Sequence, residues 1–279
     1  MCRILALSAS EISYELLKNI VDAFVKSNEH DPYLSKLTGK SPASHDDGWG
    51  LAAAGLVGGS PTIAWYKSVE PIFYESSKRI LELYTKRISS YDTLYFVVHA
   101  RKASRREPYG IEYAHPFMRA SEQGIAWFVH NGGADKKALA EKLGVNPWLR
   151  VDSELLGYYI MDSVLSCTNA GRSVDDCVVE AYSSAKHYVV KGSALNTALL
   201  LLHEERPYLY VSYWVNEPAS KLHEEYYSYI ALNWNNAVLA GSISIKDYLP
   251  ADVSDKVVFL EHGVYRLEPG RITKLSGLQ

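Results

Sequence analysis

A cysteine occupies the second position of the chain, directly before a short apolar run, Ile4–Leu7. If Met1 is removed, Cys2 carries both a thiol and a free α-amine, and such an amine can act as the base that activates a nucleophile. Reference pKa values are roughly 7.7–8.0 for an α-amine and roughly 8.5 for a thiol, so both groups titrate near neutral pH. A cysteine here can equally be a buried small side chain or a surface thiol. The choice depends on the polar residues elsewhere in the chain.

Polar residues stand at the ends of two predicted strands and at the start of a predicted helix. Arg101 follows a β-rich run that begins at Thr93, the pair Asn131-Gly132 follows another, and Asp152 opens a helix predicted to reach about Ser166. Each has an ordinary structural interpretation when it is taken singly. Arg101 could be a surface cation, the Asn-Gly pair a common turn, and Asp152 a helix N-cap.

Together with Cys2, these residues provide the groups that amide hydrolysis needs. Attack of a thiolate on an amide creates an oxyanion, which the Asn131 side-chain amide and the Gly132 N–H could stabilise. Losing one such donor typically costs about 2.7–4 kcal/mol of barrier. A guanidinium suits the α-carboxylate of an amino acid and a carboxylate suits its ammonium group, so Arg101 and Asp152 could bind both. The set would recognise a γ-glutamyl head group and cleave its side-chain amide.

An ordered set of motifs resembles the class II glutamine amidotransferases, the family that uses an N-terminal cysteine as its nucleophile. The Met-Cys-Arg start and the Asp-Gly-Trp-Gly motif resemble the stand-alone branch of that family, whose members lack an attached synthase domain. The resemblance covers roughly residues 2–245. Its motifs, in chain order, are Cys2, Asp47-Gly48-Trp49-Gly50-Leu51-Ala52, His99-Ala100-Arg101, His130-Asn131-Gly132 and Asp152-Ser153-Glu154.

The resemblance implies an α+β fold, specifically a four-layer αββα sandwich of two stacked antiparallel sheets (the N-terminal-nucleophile hydrolase fold). The pattern of the residues itself favours one α+β layered domain, because regular βαβ alternation and a Gly-rich phosphate loop are both missing from the sequence. We therefore expect a single amidotransferase domain over residues 2–279. Its motif-bearing core would cover about 2–245, with further strands extending to 279.

The resemblance also implies a role for each motif residue. Cys2 would be the nucleophile and its freed α-amine the general base. Asn131 and Gly132 would form the oxyanion hole, and Arg101 and Asp152 would bind the α-carboxylate and α-ammonium of glutamine. No cofactor is implied.

Four further residues match family positions around this site. Ser104 and His115 would line the substrate pocket, and Asp47 and Gly48 would support the nucleophile from the head of a central strand. The expected activity is hydrolysis of glutamine or a γ-glutamyl compound through a Cys2 thioester, with release of ammonia or an amine. Two alternatives stay open: an ammonia-supplying subunit that works with a separate synthase subunit, and a non-catalytic glutamine-binding relative.

Composition excludes some other classes of function. The net charge of −3 without a basic block argues against nucleic acid as a partner, and the strand-length apolar runs argue against a membrane span. His99 and His130 are too far apart to predict a metal site. With Cys2, the remaining cysteines Cys167 and Cys177 are too few for a disulfide framework, so we expect idle or structural thiols in a reducing cytoplasm. A homo-oligomer remains open.

Three expectations concern the rest of the chain. Residues 28–47 are polar and rich in Pro, Gly and Ser, which predicts a long surface loop. The first helix is predicted to be capped by Ser10. The final third is predicted to form five strands: Leu195–Leu202, Tyr208–Val215, Tyr227–Asn233, Ala237–Gly241 and Val257–Leu267.

Overall fold

The central strands of this chain are apolar on both faces, because each of the two sheets is covered on one side by helices and on the other side by its partner sheet. The computed structural model describes residues 1–104, 107–122 and 124–278. Its strands are β1 (Cys2–Ser10), β2 (Trp49–Val57), β3 (Ser60–Ser68), β4 (Thr93–Arg101), β5 (Phe117–Ala120), β6 (Gly124–Asn131), β7 (Ser193–Ala194), β8 (Asn196–His203), β9 (Arg206–Tyr213), β10 (Val215–Asn216), β11 (Tyr229–Trp234), β12 (Ala237–Ser242), β13 (Val258–Phe259), β14 (Gly263–Glu268) and β15 (Arg271–Ser276).

Along the chain, the helices lie mainly in the segments that connect the strands. The α-helices are α1 (Tyr14–Glu29), α2 (Pro32–Thr38), α3 (Glu75–Ile88), α4 (Lys136–Leu143), α5 (Asp152–Asn169), α6 (Val174–Ala185), α7 (Lys221–Tyr227) and α8 (Ala251–Ser254). Short 3₁₀ helices cover Ile111–Tyr113, Pro147–Leu149, Lys186–Tyr188 and Ile243–Tyr248. In the part of the chain that the structure describes, no helix combines the length and apolarity needed to cross a membrane.

Two antiparallel sheets form the centre of the molecule. The first has the strand order β13-β11-β12-β1-β4-β2-β3, and the second has the order β15-β14-β9-β8-β6-β5. Ile4 and Ala6 of β1 pack in a buried layer with Trp127 and Val129 of β6, which joins the two sheets face to face. The short strands β10 and β7 pair separately.

Helices close both outer faces of this pair of sheets. Phe24 of α1 and Leu81 of α3 belong to the apolar cluster on the outer face of the first sheet. Leu156 of α5 and Val178 of α6 belong to the cluster on the outer face of the second sheet. The layers therefore follow the order αββα, which confirms the predicted four-layer sandwich.

The prediction of a surface loop at residues 28–47 is wrong in two respects: the middle of this segment forms α2, and several of its polar residues are buried. Asp31 caps α2, and its Oδ1 accepts hydrogen bonds from the backbone N–H groups of Tyr33 at 2.9 Å and Leu34 at 3.0 Å. Asn28, Asp31 and His45 are fully buried. These polar side chains can be buried because they form hydrogen bonds to other groups of the protein rather than to solvent.

Three predicted boundaries also differ from the structure. Ser10 is the last residue of β1, so Ser13 caps α1 instead, and its Oγ accepts from the Leu16 N–H at 3.2 Å. Tyr227 ends α7 rather than beginning a strand. The segment predicted as a single strand at 257–267 is divided between β13 and β14.

Cys167 and Cys177 form a disulfide, which corrects the expectation that they are unpaired thiols. The bond joins the C-terminal part of α5 to α6, and the two Cα atoms lie 5.7 Å apart. The two cysteines are ten positions apart along the chain, and the packing of α5 against α6 brings them together. The cysteine content therefore no longer supports the predicted reducing compartment. Cys2 is the free cysteine of the described residues.

Candidate active site

The first sheet places Cys2 beside Arg101. The antiparallel strands β1 and β4 set these two residues directly opposite each other. Asp47 and Gly48 continue the ladder beyond β2: the Arg101 N–H donates to the Gly48 carbonyl at 2.8 Å, and the Asp47 N–H donates to the Arg101 carbonyl at 2.9 Å. The backbone at the end of β4 is therefore held from both sides.

Asp47 and Gly48 fix the segment that follows Arg101. The Asp47 Oδ2 accepts from the Ala103 N–H at 2.8 Å. Gly48 has a φ of +104°, and a Cβ there would lie 2.6 Å from the Ser68 carbonyl oxygen, so glycine is required. The Lys102 carbonyl oxygen lies 3.9 Å from the Cys2 Sγ, which brings the supported segment up to the thiol.

The second sheet presents Asn131 to Cys2. The Asn131 Oδ1, at the end of β6, accepts a hydrogen bond from the Cys2 N–H at 2.9 Å. The Nδ2 of the same side chain is buried and has no hydrogen-bond partner among the described residues. Leaving a buried donor unpaired costs about 1–3 kcal/mol. A group of this kind is available to a ligand that offers an acceptor.

The chain bends away from the end of β6 at Gly132, and a side chain at this position would not fit. A Cβ at this position would lie 1.9 Å from the Ala194 carbonyl oxygen and 2.6 Å from the His130 Nε2. The His130 ring is fixed in this place, because its Nε2 lies 3.0 Å from the Ala194 carbonyl and its Nδ1 lies 2.9 Å from the Ser153 Oγ. Glycine is therefore a steric requirement at the position that follows Asn131.

Asp152 is the first residue of α5, and Val151 rather than Asp152 is the N-cap. The Asp152 Oδ2 accepts from the Ala134 N–H at 3.0 Å, and its Oδ1 accepts from the Ser153 N–H at 2.7 Å. A carboxylate in this position is favoured by the partial positive charge of a helix N-terminus. The helix thus directs a fixed anion toward the cavity beside Cys2.

The Arg101 guanidinium is buried, with 4% of the residue exposed, and is only partly paired. Its Nη2 donates to the Pro108 carbonyl at 3.0 Å. Within residues 1–104, 107–122 and 124–278, its Nη1 has no hydrogen-bond partner. A buried cation with a free donor suits an anionic ligand, because leaving it unpaired is costly.

Two buried histidine rings lie against each other near this cation. The His115 and His99 ring centroids lie 3.9 Å apart, and in the described part of the chain neither His115 ring nitrogen has a partner. Burial lowers the pKa of His99 to about 3 and lowers the pKa of His115 well below its ordinary value. Both rings are therefore neutral at physiological pH, and His115 lines the cavity without adding charge.

A small cavity, about 30 Å³ in volume, is lined by six of the nine predicted site residues; Asn131, Asp47 and Gly48 are not part of its lining. It has room for no more than one or two water molecules. Met1 occupies part of its wall, and the Met1 α-ammonium donates to the Lys102 carbonyl at 2.8 Å. Asn131 approaches Cys2 from behind this wall, and Ser104 lies exposed at it. The lining residues are Met1, Cys2, Arg101, Lys102, Ala103, Ser104, Glu107, His115, Gly132, Val151, Asp152 and Ser153.

Sequence analysis missed a buried ion pair next to Cys2. The Arg3 Nε donates to the Asp31 Oδ2 at 2.5 Å, and its Nη1 donates to the Tyr226 carbonyl at 2.8 Å. The Tyr226 hydroxyl in turn donates to the Cys2 carbonyl at 3.3 Å. A charged residue inside an otherwise apolar strand was the available signal, since a buried arginine requires a partner.

His45 completes this ion pair from the other side of Asp31. Its Nε2 lies 2.7 Å from the Asp31 Oδ2, and burial lowers the pKa of His45 to about 4 despite that carboxylate. Although burial alone would raise it, the charge of Arg3 holds the pKa of Asp31 below its usual range. The start of β1 is thus anchored by a charged carboxylate and a buried guanidinium.

The described ranges contain no group of three or more His, Cys, Asp or Glu residues that could hold a metal ion.

Comparison with known proteins agrees with this architecture. Residues 33–200 match a family model described as "Glutamine amidotransferases class-II". The glutamine phosphoribosylpyrophosphate amidotransferase of B. subtilis, solved with ADP and GMP, is similar with a TM-score of 0.55 and 13% identity. A structure described as the allosteric regulatory enzyme of purine biosynthesis is similar with a TM-score of 0.54 and 13% identity.

These likenesses show the fold, and the matched family model shows the family. Each of the two structures is matched over 99% of this chain and 49% of its own, so the chain spans about half their length. Comparison with curated protein sequences gives no match. Since the family model covers more than half of the residues, the chain belongs to the class II glutamine amidotransferases.

Proposed function

We propose that the protein hydrolyses the γ-amide of glutamine, or of a γ-glutamyl compound, through a thioester on Cys2. The observation that carries this proposal is the contact between the Cys2 nitrogen and the Asn131 Oδ1 at 2.9 Å, together with an Asn131 Nδ2 that no described residue bonds. Once Met1 is removed, the same nitrogen is an α-amine held beside its own thiol. One asparagine then positions the base and supplies an oxyanion donor.

Removal of Met1 is part of this proposal. While Met1 is present, the Cys2 nitrogen is a peptide amide that cannot act as a base. Met1 also forms part of the wall of a cavity of about 30 Å³, and a cavity of this size is too small for a γ-glutamyl group. Its loss would free the amine and open the cavity in a single step.

The chemistry follows from these positions. The Cys2 amine takes the thiol proton, and Sγ attacks the amide carbon to form a C–S bond. The oxyanion accepts hydrogen bonds from the Asn131 Nδ2 and the Gly132 N–H. The C–N bond then breaks, and the leaving nitrogen takes the proton from the ammonium of Cys2. A water molecule, deprotonated by the freed amine, attacks the thioester. The C–S bond then breaks, glutamate is released, and the Cys2 thiolate takes the proton back from the ammonium.

Recognition of the head group uses the two fixed charges. The free Nη1 of Arg101 would donate to the α-carboxylate, and Asp152 would accept from the α-ammonium, since each carboxylate oxygen can accept more than one hydrogen bond. Ser104 would add a hydroxyl contact, and His115 would form a neutral wall. Asp47 and Gly48 would act indirectly, by holding the backbone that carries these groups.

Glutamate release by the processed protein tests this function. We expect glutamate and ammonia to appear in equal amounts from glutamine, and the Cys2→Ala variant to release neither. Unchanged release by that variant would contradict the proposal. Release that becomes strong only with a co-purifying synthase would instead indicate an ammonia-supplying subunit. Binding of glutamine without turnover would indicate a non-catalytic relative.

A further inference from the structure

We propose that Asn196 accepts a hydrogen bond from the leaving nitrogen of the substrate and so makes the site prefer amides to esters. This inference rests on the proposed function and specifies the class of bond that the site cleaves. Its basis is a buried acceptor on Asn196 that has no partner among the described residues. It lies on the strand next to that of Asn131, whose buried donor is likewise without a partner there.

The sheet register places the two asparagines side by side. The antiparallel strands β6 and β8 set Asn131 opposite Asn196. Val129 and Ala198, each two residues away along its own strand, belong to the apolar layer between the two sheets. Because side chains at positions i and i+2 of a strand share a face, both asparagines face the layer that Cys2 enters from the first sheet.

Hydrogen bonding fixes which end of each carboxamide is free. The Asn196 Nδ2 donates to the Tyr227 carbonyl at 2.5 Å, so its Oδ1 is the remaining group. That oxygen is buried without a partner in residues 1–104, 107–122 and 124–278, and Asn196 is only 1% exposed. Asn131 has the opposite arrangement, since its Oδ1 is occupied by Cys2 and its Nδ2 is free.

A carboxamide is complemented by a site that offers one hydrogen-bond acceptor beside one hydrogen-bond donor. A primary or secondary amide presents a carbonyl oxygen and an N–H on neighbouring atoms. The carbonyl oxygen would accept from Asn131 and the N–H would donate to Asn196. A substrate amide therefore satisfies two buried groups that would otherwise remain unpaired.

The contact with Asn196 persists through the chemical step. As the C–N bond breaks and the nitrogen gains a proton from the Cys2 ammonium, the leaving ammonia or amine still has an N–H to donate. The leaving oxygen of an ester has no hydrogen before it is protonated, so an ester gains nothing from Asn196. A site built to bond an N–H discriminates against an analogue that lacks it.

The Asn196→Ala variant tests this contact with two substrates, glutamine and glutamate γ-methyl ester. For both, kcat/KM reports the steps up to thioester formation. We expect kcat/KM for glutamine to fall about tenfold to a hundredfold, as is typical of an unpaired buried group, while the ester changes less than about threefold. Labelling of Cys2 by 6-diazo-5-oxo-norleucine, which has no leaving N–H, should persist.

Asn28→Ala is the matched control. Asn28 is fully buried, its Nδ2 donates to the Phe24 carbonyl at 2.7 Å, and its Oδ1 has no partner in the described part of the chain. It thus repeats the bonding pattern of Asn196 at the end of α1. We expect this variant to leave the ratio of amide to ester rates unchanged.

Equal losses on the two substrates, or no loss on either, would overturn the inference. If Asn196→Ala does not fold, the unmodified protein supplies the test. Its kcat/KM for γ-glutamyl dimethylamide, which has no N–H, should lie at least about tenfold below that for γ-glutamyl methylamide. Similar values would refute a role for Asn196. Failure of the unmodified protein to cleave any of these compounds would refute the proposed function instead.

Discussion

Replacement of Gly132 by alanine tests the proposed oxyanion hole most sharply. The new Cβ would lie 1.9 Å from the Ala194 carbonyl oxygen, whereas Cβ contacts under 3.0 Å are essentially never found. The backbone at Gly132 must therefore move by about 1 Å, which takes its N–H outside the 2.7–3.1 Å range of an effective oxyanion donor. Loss of one donor costs about 2.7–4 kcal/mol, so we expect kcat to fall about 10²–10³-fold.

The neighbouring glycine provides the control for this experiment. A Cβ at Gly133 would meet the Ser193 Oγ at 3.3 Å, a contact that rotation of the serine can relieve. Steady-state glutamate release should therefore stay within about threefold of wild type in Gly133→Ala, a change that corresponds to less than 1 kcal/mol. Thermal melts of both variants separate a folding defect from a catalytic one. Near-normal kcat in Gly132→Ala, or equal losses in both variants, would refute the reasoning.

Three further predictions follow from charges in and near the site. Arg101→Lys should raise KM for glutamine about tenfold to a hundredfold with kcat little changed, because one charge-assisted bond contributes about 1.5–3 kcal/mol; an unchanged KM would exclude Arg101 from binding. Asp31→Asn should lower the free energy of unfolding in urea by about 3–5 kcal/mol, because buried Arg3 loses its counter-charge; wild-type stability would contradict this. Burial lowers the pKa of His99 to about 3 and that of His45 to about 4. Below pH 6.5 the unfolded chain therefore binds more protons than the folded protein. The free energy of unfolding at pH 5 should be lower by about 2 kcal/mol per histidine than above pH 6.5. A free energy of unfolding that does not change with pH would contradict this.

The positions of the candidate site residues were predictable because these residues lie at the ends of regular elements. The strand predicted from Thr93 to His99 extends through Arg101, and the helix predicted from Asp152 begins there. Strand ends and helix starts are positioned by the hydrophobic pattern of the elements themselves, which a single sequence contains. The family resemblance supplied the stacking of the two sheets, which local patterns do not specify.

Contacts between distant segments were not predictable in the same way. Arg3 and Asp31 pair across 28 positions, and Asp31 stands in the segment 28–47, which reads as an exposed polar loop in the sequence. Asn196 gains its significance only from the register that sets it opposite Asn131, which depends on how β6 and β8 pair. In both cases the chemistry of the residue is visible in the sequence, but its partner is determined by the tertiary fold.

Cys2 as a processed N-terminal nucleophile is the central claim, and intact mass spectrometry tests it most directly. The purified protein should be measured before and after incubation with 6-diazo-5-oxo-norleucine, followed by peptide mapping. We predict a mass lacking Met1 and a single covalent adduct, located on Cys2. A protein that retains Met1 and gains no adduct would contradict the account.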